Sequence, residues 1–244
     1  AAGAGPLESE EILAWDRTVL TRRDFRCLAP GCLLNDSVLD FFLRFVHRCL
    51  AHRSDVYVFS SLFFTQLMAF GAASGDEGWE NVKGWTKRVA LFSYRYLLLP
   101  VNSVTVSSVR HWWLAVVKLR GPSGRMAPSV VWLDSNQGPA DLYAVVLRYL
   151  RGYLRREWAE RPASRPQEAA EGLDVSGLGA GTVQRAPAQQ NAADCGVFLV
   201  ENALRFLSGG DGHLGSGEAA VWCDQECALK RRGRLKGSLE RLGG

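Results

Sequence analysis

The sequence predicts an α+β fold in which a central mixed sheet, largely antiparallel, is flanked by helices on both sides. Two apolar runs, at 112–117 and 130–133, surround a Gly-Pro-Ser-Gly turn and predict an antiparallel hairpin. Apolar residues at helical spacing predict a helix from about residue 36 to about residue 50. A second apolar run, which follows a polar turn, predicts a helix over 195–207.

The other predicted elements follow from local signals of the same kind. Asn35 or Asp36 can cap the first helix, because short polar side chains accept hydrogen bonds from the first free N–H groups. The chain from Glu218 onward is expected to form one or two further helices. In chain order we also expect a helix capped by Ser60 or Ser61 and running to about 70, a glycine-containing loop at 71–78, strands near 89–92 and 96–101, a helix over 141–158, and a return to the sheet at 182–185.

Length and composition fit one large domain. The chain has 244 residues, of which 47% are hydrophobic, enough to bury one sizeable core. We expect residues 1–9 to form a disordered tail and residues 10–244 to form a single catalytic domain. Residues 159–181 are rich in Ala, Gly, Pro, Arg and Glu and are expected to be a flexible surface insertion.

Charge and cysteine usage limit the possible partners and compartments. The net charge is +4, with basic clusters at 151–165 and 230–234. These clusters are interpreted as solvated helix faces or a site for an acidic protein; nucleic acid is not expected, because no binding motif accompanies them. The sequence has no apolar stretch long enough to span a membrane and no visible signal peptide. Six scattered cysteines favour a reducing intracellular compartment, nuclear or cytoplasmic. Because the chain begins without methionine, we expect it to be a fragment of a longer protein.

Cys195 lies at the predicted start of a helix, directly after the polar run 189–194. A helix N-terminus carries partial positive charge and free backbone N–H groups, and both favour a thiolate, which is the nucleophilic form. A cysteine in this position needs only a base and an orienting acid to become a catalyst. The alternative is a buried core cysteine, but the glutamine and asparagine donors beside Cys195 favour the catalytic interpretation.

His111 and Asp134 lie at the borders of the two predicted hairpin strands. Antiparallel neighbours could hold the imidazole and the carboxylate within hydrogen-bonding distance, where the carboxylate would fix the tautomer and favour the imidazolium. Asp134 also begins a sequence typical of a turn, and the two roles are compatible. The sequence therefore predicts a thiol catalyst whose residues follow the chain order His111, Asp134, Cys195.

These motifs together resemble the Ulp/SENP family of cysteine proteases, which cleave SUMO and related ubiquitin-like proteins. The resemblance covers roughly residues 10–207 and is closest to the branch that edits poly-SUMO chains. It implies a papain-like (adenain/Ulp-type) fold. The matching segments, in the family's order, are Leu34-Asn35-Asp36, Phe59-Ser60-Ser61 with Phe63-Phe64, Trp85, Pro100-Val101-Asn102, His111-Trp112, Asp134 and Gln189-Gln190-Asn191-Ala192-Ala193-Asp194-Cys195-Gly196.

The resemblance implies a role for each matching residue. Cys195 would be the nucleophile, His111 the general base and Asp134 the orienting carboxylate. The register of the family favours Gln189 over Gln190 as the donor to the oxyanion, a role in which a fixed amide is worth about 3 kcal/mol.

The resemblance also implies a clamp for the substrate tail. Trp112 would cover a narrow tunnel for a Gly-Gly tail, and Trp113, on the opposite face of the strand, would face the core. Asp36 would contact the ubiquitin-like substrate. Many members of the family have a tryptophan before Leu-Asn-Asp as the second wall of the tunnel, whereas this chain has Leu33. The tightness of the tail clamp is therefore expected to differ here.

The expected activity is that of a thiol isopeptidase and endopeptidase that cleaves after the C-terminal Gly-Gly of SUMO, acting as a monomer without a cofactor or a metal. The alternatives are a deneddylase of the same family, a related acetyltransferase whose basic clusters bind coenzyme A, and an inert module that binds ubiquitin-like proteins. Cys223 and Cys227, with His213 nearby, have loose spacing and no obvious fourth ligand, so no zinc site is predicted.

Overall fold

The chain folds into seven strands and seven α-helices among the residues that the computed structural model describes, namely 10–16, 18–51, 53–103, 110–121, 124–166, 172–179, 181–183, 187–209 and 222–243. The strands are β1 (Glu11–Trp15), β2 (Thr18–Thr21), β3 (Val56–Val58), β4 (Tyr96–Asn102), β5 (Trp112–Lys118), β6 (Ser129–Leu133) and β7 (Thr182–Val183). The helices are α1 (Arg22–Arg26), α2 (Asp36–Phe45), α3 (Phe63–Leu67), α4 (Gly75–Val82), α5 (Ala140–Glu160), α6 (Cys195–Gly209) and α7 (Gln225–Gly243).

These elements group into two units of contacting residues. One unit, residues 53–184, contains a five-stranded sheet and is called the sheet unit here. The other combines residues 1–52 with 185–244 and is called the helical unit. The prediction of a single domain over 10–244 stays a prediction, and the predicted tail at 1–9 lies outside the described residues.

The sheet unit contains the predicted hairpin at the centre of a mixed sheet. The strand order is β3-β4-β5-β6-β7. The three central strands are antiparallel, with Val116 of β5 opposite Val131 of β6, and the edge strands β3 and β7 pair in parallel. The α+β class, the mixed sheet and the antiparallel hairpin are therefore confirmed. β7 also confirms the predicted return of the chain to the sheet.

One face of the sheet forms the core of this unit. Alternate residues of a strand point to one face, and every second residue of β4 and β5 joins a buried cluster with α3, α4 and α5. The intervening residues Leu98, Leu114 and Val116 are also fully buried, so neither face of the central strands meets solvent. The sheet residues of this cluster are Leu97, Leu99, Val101, Trp113, Ala115, Val117, Val130 and Trp132.

The glycine-containing loop predicted at 71–78 is wrong in its second half, because Gly75 begins α4. A Cβ on Gly75 would lie 1.6 Å from the Tyr149 carbonyl oxygen, and one on Gly78 would lie 1.9 Å from the Leu67 carbonyl oxygen. On the facing helix, a Cβ on Gly152 would lie 2.4 Å from the Asp76 nitrogen. These glycines therefore serve close packing of helix backbones rather than a flexible loop.

Two other local predictions in the sheet unit are wrong. The strand expected near 89–92 is replaced by a single 3-10 turn, Leu91–Ser93, whose two apolar residues enter the core. The helix expected to be capped by Ser60 or Ser61 begins at Phe63 with no side-chain cap. Ser60 Oγ instead accepts a hydrogen bond from the Leu62 N–H at 3.3 Å, which makes a turn before the helix.

The described parts of the predicted insertion at 159–181 contact the core. Leu178 is fully buried within the apolar cluster. The Asp174 N–H donates to the Met126 carbonyl oxygen at 2.8 Å, and Arg151 donates to the Gly179 carbonyl oxygen at 2.7 Å. These residues are therefore attached to the sheet unit, contrary to an insertion lying only on the surface, while the expected flexibility of the rest stays a prediction.

The helical unit is built around α2 and α6, with the β1-β2 hairpin and α7 packed on them. Asn35 caps α2 as predicted, since its Oδ1 accepts from the Val38 N–H at 3.1 Å. Trp15 of β1 makes edge-on contacts with Phe41 and Phe45 of α2. None of the helices described is both long enough and apolar enough to cross a membrane.

The basic clusters that the sequence shows are largely used in internal ion pairs. On α5, Arg155 pairs with Asp76, and Arg156 pairs with Glu80 and Glu160. On α7, Arg231 pairs with Glu201 and Arg232 pairs with Asp194. This pairing favours a structural role for both clusters over an extended site for an anionic ligand.

Candidate active site

His111 and Asp134 form a buried pair at one end of the central hairpin. His111 immediately precedes β5 and Asp134 immediately follows β6, so the antiparallel register brings them together. His111 Nε2 lies 2.6 Å from Asp134 Oδ1, with the two residues 5% and 0% exposed. The contact that the sequence predicts between imidazole and carboxylate is present.

Asp134 accepts three hydrogen bonds besides that of His111. The turn after β6 brings the Asn136 N–H to Oδ1 at 2.8 Å and the Gly138 N–H to Oδ2 at 2.9 Å. The Tyr143 hydroxyl, from the first turn of α5, donates to Oδ2 at 2.8 Å. Four donors on one carboxylate fix its plane, and with it the ring of His111. Asp134 is therefore both a turn residue and the partner of the histidine.

The surroundings keep Asp134 ionised. Burial alone would raise the pKa of this carboxyl, but the hydrogen bond and charge of His111 and the N–H groups of Gly138 and Asn136 bring the pKa below its ordinary value. Burial and the neighbouring carboxylate raise the pKa of Tyr143, so its hydroxyl stays a donor. Because Nε2 of His111 faces the carboxylate, proton transfer to or from a thiol would involve the other ring nitrogen, Nδ1.

Trp112 and Trp113 follow the histidine on β5 and point to opposite faces of the sheet. Trp113 belongs to the apolar cluster of the sheet unit, with its ring centroid 5.2 Å from that of Tyr143. Trp112 pairs with Asn102 across the strands and is 5% exposed. The expected placement of Trp113 in the core is confirmed.

Cys195 is the first residue of α6 and is buried. The Phe198 N–H donates to the Asp194 carbonyl oxygen at 2.9 Å, which makes Asp194 the residue preceding the first helical turn. A Cβ on Gly196 would lie 3.0 Å from the Leu34 Cβ, so glycine allows the start of α6 to approach the segment before α2. The predicted helix start at the cysteine is confirmed.

Residues 189–194, called the Gln189 loop here, are folded by Asn191. Its Oδ1 accepts from the N–H groups of Ala193 and Asp194 at 2.9 and 3.0 Å, and its Nδ2 donates to Asp194 Oδ2 at 2.7 Å. Gln189 Nε2 donates to the Asn191 carbonyl oxygen at 2.6 Å. The turn role that the sequence suggests for Asn191 thus matches its contacts.

Sequence reasoning missed two residues of α7 that hold this loop, Arg232 and Gln225. Arg232 Nε lies 2.9 Å from Asp194 Oδ1, and Gln225 Nε2 donates to Asp194 Oδ2 at 2.6 Å. Burial would raise the pKa of Asp194, but donation from Asn191, Arg232 and Gln225 lowers it. No local pattern could have shown these contacts, because the partners lie 38 and 31 residues apart and Arg232 is one of several basic residues in its run.

The predicted tail-binding residues Leu33 and Asp36 lie in the helical unit. Both are half-buried, and Asp36 is the first residue of α2. Their neighbour Leu34 is the residue that the start of α6 contacts. The helical unit thus brings the segment 33–36 beside Cys195, whereas Trp112, His111 and Asp134 belong to the sheet unit.

Among the described residues, no group of three or more His, Cys, Asp and Glu side chains is arranged to hold a metal ion. Cys227 lies 3.0 Å from an Arg205 nitrogen and 3.4 Å from Glu201 Oε1. Burial and the nearby Cys227 and Glu201 raise the pKa of the Cys223 thiol. His213 lies outside the described residues.

Comparison with known proteins gives consistent matches. The curated relatives include the probable ubiquitin-like-specific protease 2A of Arabidopsis thaliana, 26% identical over 79% of this chain, and ubiquitin-like-specific protease 1 of Saccharomyces cerevisiae, 24% identical over 92% of it. The chain covers 25% and 30% of the length of these two relatives. A crystal structure of the C-terminal Ulp1 protease domain in complex with Smt3, the yeast ortholog of SUMO, shares the fold with a TM-score of 0.68. It is 21% identical to this chain, and the match covers 98% of this chain and 90% of that one.

A model of the Ulp1 protease family, C-terminal catalytic domain, matches residues 33–213. The matched span contains His111, Asp134, Gln189 and Cys195 and ends before α7 begins. This chain therefore belongs to the Ulp1 protease family.

Proposed function

We propose that this chain is a thiol isopeptidase and endopeptidase that cleaves after the C-terminal Gly-Gly of SUMO. The observation that carries the proposal is the buried pair of His111 and Asp134, 2.6 Å apart, in which the carboxylate orients the imidazole through Nε2. The second component is a cysteine at the first position of α6. The structural relative bound to Smt3 supports SUMO as the modifier, although that complex is a property of the relative.

The proposed chemistry uses Cys195 as the nucleophile and His111 as its base. His111 Nδ1 takes the thiol proton, and the sulfur attacks the carbonyl carbon of the terminal glycine. The oxyanion receives hydrogen bonds from Gln189 and from the Cys195 N–H, and each such donor is worth about 3 kcal/mol. The imidazolium then protonates the departing amine, which leaves a thioester on the sulfur. Water, deprotonated by His111, hydrolyses that thioester and frees the tail.

In this proposal Asp134 orients His111 and stabilises its charged form without taking the proton. The carboxylate suits this role, because four hydrogen-bond donors keep it ionised and fixed despite its burial. A base held by a fixed partner does not need to reorganise during the reaction, which lowers the barrier.

The substrate tail is proposed to lie between Trp112 and Leu33, with Asp36 in contact with the modifier. In this proposal the passage between these walls is narrow, and a tail of two glycines fits it because glycine has no side chain. Leu33 offers a smaller wall than the tryptophan that many relatives have. The released group is a lysine amine of a target, the next modifier of a chain, or a precursor extension.

The enzyme is proposed to act as a monomer in a reducing compartment, the nucleus or the cytoplasm. All six cysteines are free thiols, which supports a reducing environment. A thiol nucleophile is active only in its reduced form, so the compartment and the chemistry agree.

The proposal is tested with a SUMO protein whose C-terminal glycine carries a thiol-reactive electrophile. We expect one covalent adduct on Cys195, lost in Cys195→Ala and retained in Cys223→Ala, which removes another buried thiol. Mass spectrometry of the adduct identifies the labelled residue. The same preparation should cleave a SUMO tail joined to a fluorophore.

Three results would contradict the proposal. Labelling that persists in Cys195→Ala would refute the assigned nucleophile. Much faster labelling by a probe built on the neddylation modifier would keep the chemistry but identify the protein as a deneddylase. A folded chain that binds SUMO and never cleaves would show an inert binding module.

A further inference from the structure

α7 lies outside the span matched by the family model, yet its first turn and its middle contact the Gln189 loop. Gln225, the first residue of α7, accepts from the Gln190 N–H at 2.8 Å through Oε1 and donates to Asp194 Oδ2 at 2.6 Å through Nε2. One amide side chain thus joins both ends of the loop. This contact holds the loop in one conformation, because both hydrogen-bonding groups of the amide are used.

Arg232 makes the second connection, two turns further along α7. Its side chain is 4% exposed, and it lies 2.8 Å from the carboxylate of Asp194, whose side chain is 3% exposed. A buried charge is tolerated only when it is paired and fully hydrogen-bonded. Here both conditions hold, since Arg232 also donates to the carbonyl oxygen of Ala193 at 3.0 Å.

The remaining donors of Arg232 reach the N-terminal part of the chain. Its NH1 group donates to the carbonyl oxygens of Cys27 and Ala29 at 3.0 and 3.1 Å. All three guanidinium nitrogens are therefore used, and they join the turn after α1 to the residues directly before Cys195. A planar group bound on three sides cannot tilt, so it fixes the position of Asp194.

We propose that Gln225 and Arg232 are positioning residues of the catalytic site, which hold the Gln189 loop so that the amide of Gln189 and the N–H of Cys195 are aimed at the oxyanion. This inference rests on the proposed function and adds α7 to its machinery. Neither residue touches the substrate or the reacting atoms. Each acts through residues 190–194, by contacts with the Asp194 carboxylate and with the backbone of Gln190 or Ala193.

The charge arrangement supports a positioning role over simple attachment of α7. Asp194 is the residue before the nucleophile, and an unpaired carboxylate there would repel the negative charge that develops on the sulfur and on the oxyanion. Arg232 offsets that charge within a buried contact. The adjacent Arg231 also forms a buried ion pair, but with Glu201 of α6, two turns away from the cysteine.

This neighbour supplies a matched control. Arg232→Gln and Arg231→Gln remove the same group from adjacent positions of one helix, and each takes an arginine from a buried carboxylate. Glu201 keeps its second arginine, Arg205, in the control. Gln225→Ala is a milder variant, which leaves every charge in place and keeps the test open if Arg232→Gln does not fold. Arg232→Lys keeps the positive charge but removes the planar guanidinium that donates to Asp194 and to the carbonyl groups of Cys27, Ala29 and Ala193.

The measurement is steady-state cleavage of a SUMO tail substrate together with alkylation of Cys195 by iodoacetamide, which needs no oxyanion donor. For Arg232→Gln and Gln225→Ala we expect kcat to fall about 10-fold or more, because small misplacements of catalytic groups have effects of this size. KM should stay close to that of the wild type in both variants, and so should the alkylation rate of Gln225→Ala, which leaves every charge in place. Arg232→Gln should also be alkylated more slowly, because the unpaired Asp194 disfavours the thiolate. Arg231→Gln should keep its kcat, and Arg232→Lys should recover only part of it.

The inference is overturned if kcat does not change in Arg232→Gln and Gln225→Ala. It is also overturned if kcat, KM and the alkylation rate all change in these variants and change by the same factors in the control Arg231→Gln. An inactive wild type would refute the proposed function instead. In that case amide hydrogen exchange of residues 190–194 still tests whether Gln225 and Arg232 hold the Gln189 loop in place. Faster exchange in Gln225→Ala and Arg232→Gln, but not in Arg231→Gln, supports it, and equal exchange in all three refutes it.

Discussion

The two halves of the candidate site differ in how they are held. Asp134 is fixed from within the sheet unit by donors 2, 4, 9 and 23 residues away along the chain. Asp194 has one local donor and two from α7, 31 and 38 residues away, and Arg232 continues to carbonyl groups more than 200 residues away. The proposed base, His111, is thus held at the end of a hairpin, whereas the loop before the proposed nucleophile, Cys195, is held by residues from the N-terminal and C-terminal parts of the chain.

This difference suggests that the two halves respond differently to substitution. A carboxylate held by its own turn should tolerate changes elsewhere in the molecule. A loop held from a distant helix should be sensitive to changes that touch neither substrate nor catalytic group. The following variants test this contrast, in order of expected effect.

Replacing His111 should have the largest effect. His111→Gln removes the proposed base, and we expect cleavage to fall by roughly 10⁴-fold or more, as when one member of a catalytic unit is lost. The thermal midpoint should change little by comparison. His47→Gln serves as a control, because that histidine lies in the π-helical turn after α2, in the helical unit. Equal losses in the two variants would refute the assignment.

Comparing Asp134→Asn with Asp194→Asn tests the contrast directly. Each change presents an NH₂ group to several donors, so both should lower the free energy of unfolding, by about 3 kcal/mol. Cleavage should fall about 1,000-fold for Asp134→Asn, since an asparagine favours the wrong tautomer of His111, but only about 10-fold for Asp194→Asn. Urea unfolding and initial rates measure both quantities. A larger loss of activity at 194 would invert the comparison.

The pH dependence of stability should report on both carboxylates. Their pKa values are lowered in the folded protein, so their contribution is present above the unfolded value of about 3.9 and is lost as the pH falls through the lower folded values. We expect urea midpoints to fall progressively as the pH is lowered below about 4. In Asp134→Asn and Asp194→Asn this acid decline should be shallower. A decline as steep as in the wild type would show that other groups cause it.

The smallest effect is expected at the tail clamp. Leu33→Trp places a larger apolar side chain at the proposed wall of the tail site, and we expect KM for the tail substrate to fall about 3-fold, as for a modest gain of apolar contact. The measurement is cleavage over a range of substrate concentrations, with Leu33→Phe as an intermediate size. An unchanged or higher KM would mean that another residue already fills this wall.

Local sequence signals correctly predicted the contact between His111 and Asp134. The apolar runs on either side of a turn determined the hairpin, and a hairpin brings the residues at its ends together, so the contact of His111 and Asp134 followed. The start of α6 at Cys195 and the cap by Asn35 were predicted for the same reason, because caps and helix starts depend on neighbouring residues.

The errors fall where packing overrides local preference. Gly75 and Gly78 are typical of a loop, yet they form a helix because their missing side chains let α4 approach α5 and α3. β3 has only three residues and gives almost no periodic signal. The role of Arg232 depends on partners distant in sequence, and no short pattern contains that information.

Because Arg232 binds residues from distant parts of the chain, the choice of fragment limits affects how this protein can be produced. A recombinant fragment cut at the limits of the family match, 33–213, would lack the guanidinium and also the Cys27 and Ala29 carbonyl groups that bind it. Asp194 would then be a buried carboxylate without its cation, and the helix that begins with the cysteine would lose its covering. Such a fragment should aggregate or be degraded by proteases, while a preparation that retains both ends should stay soluble.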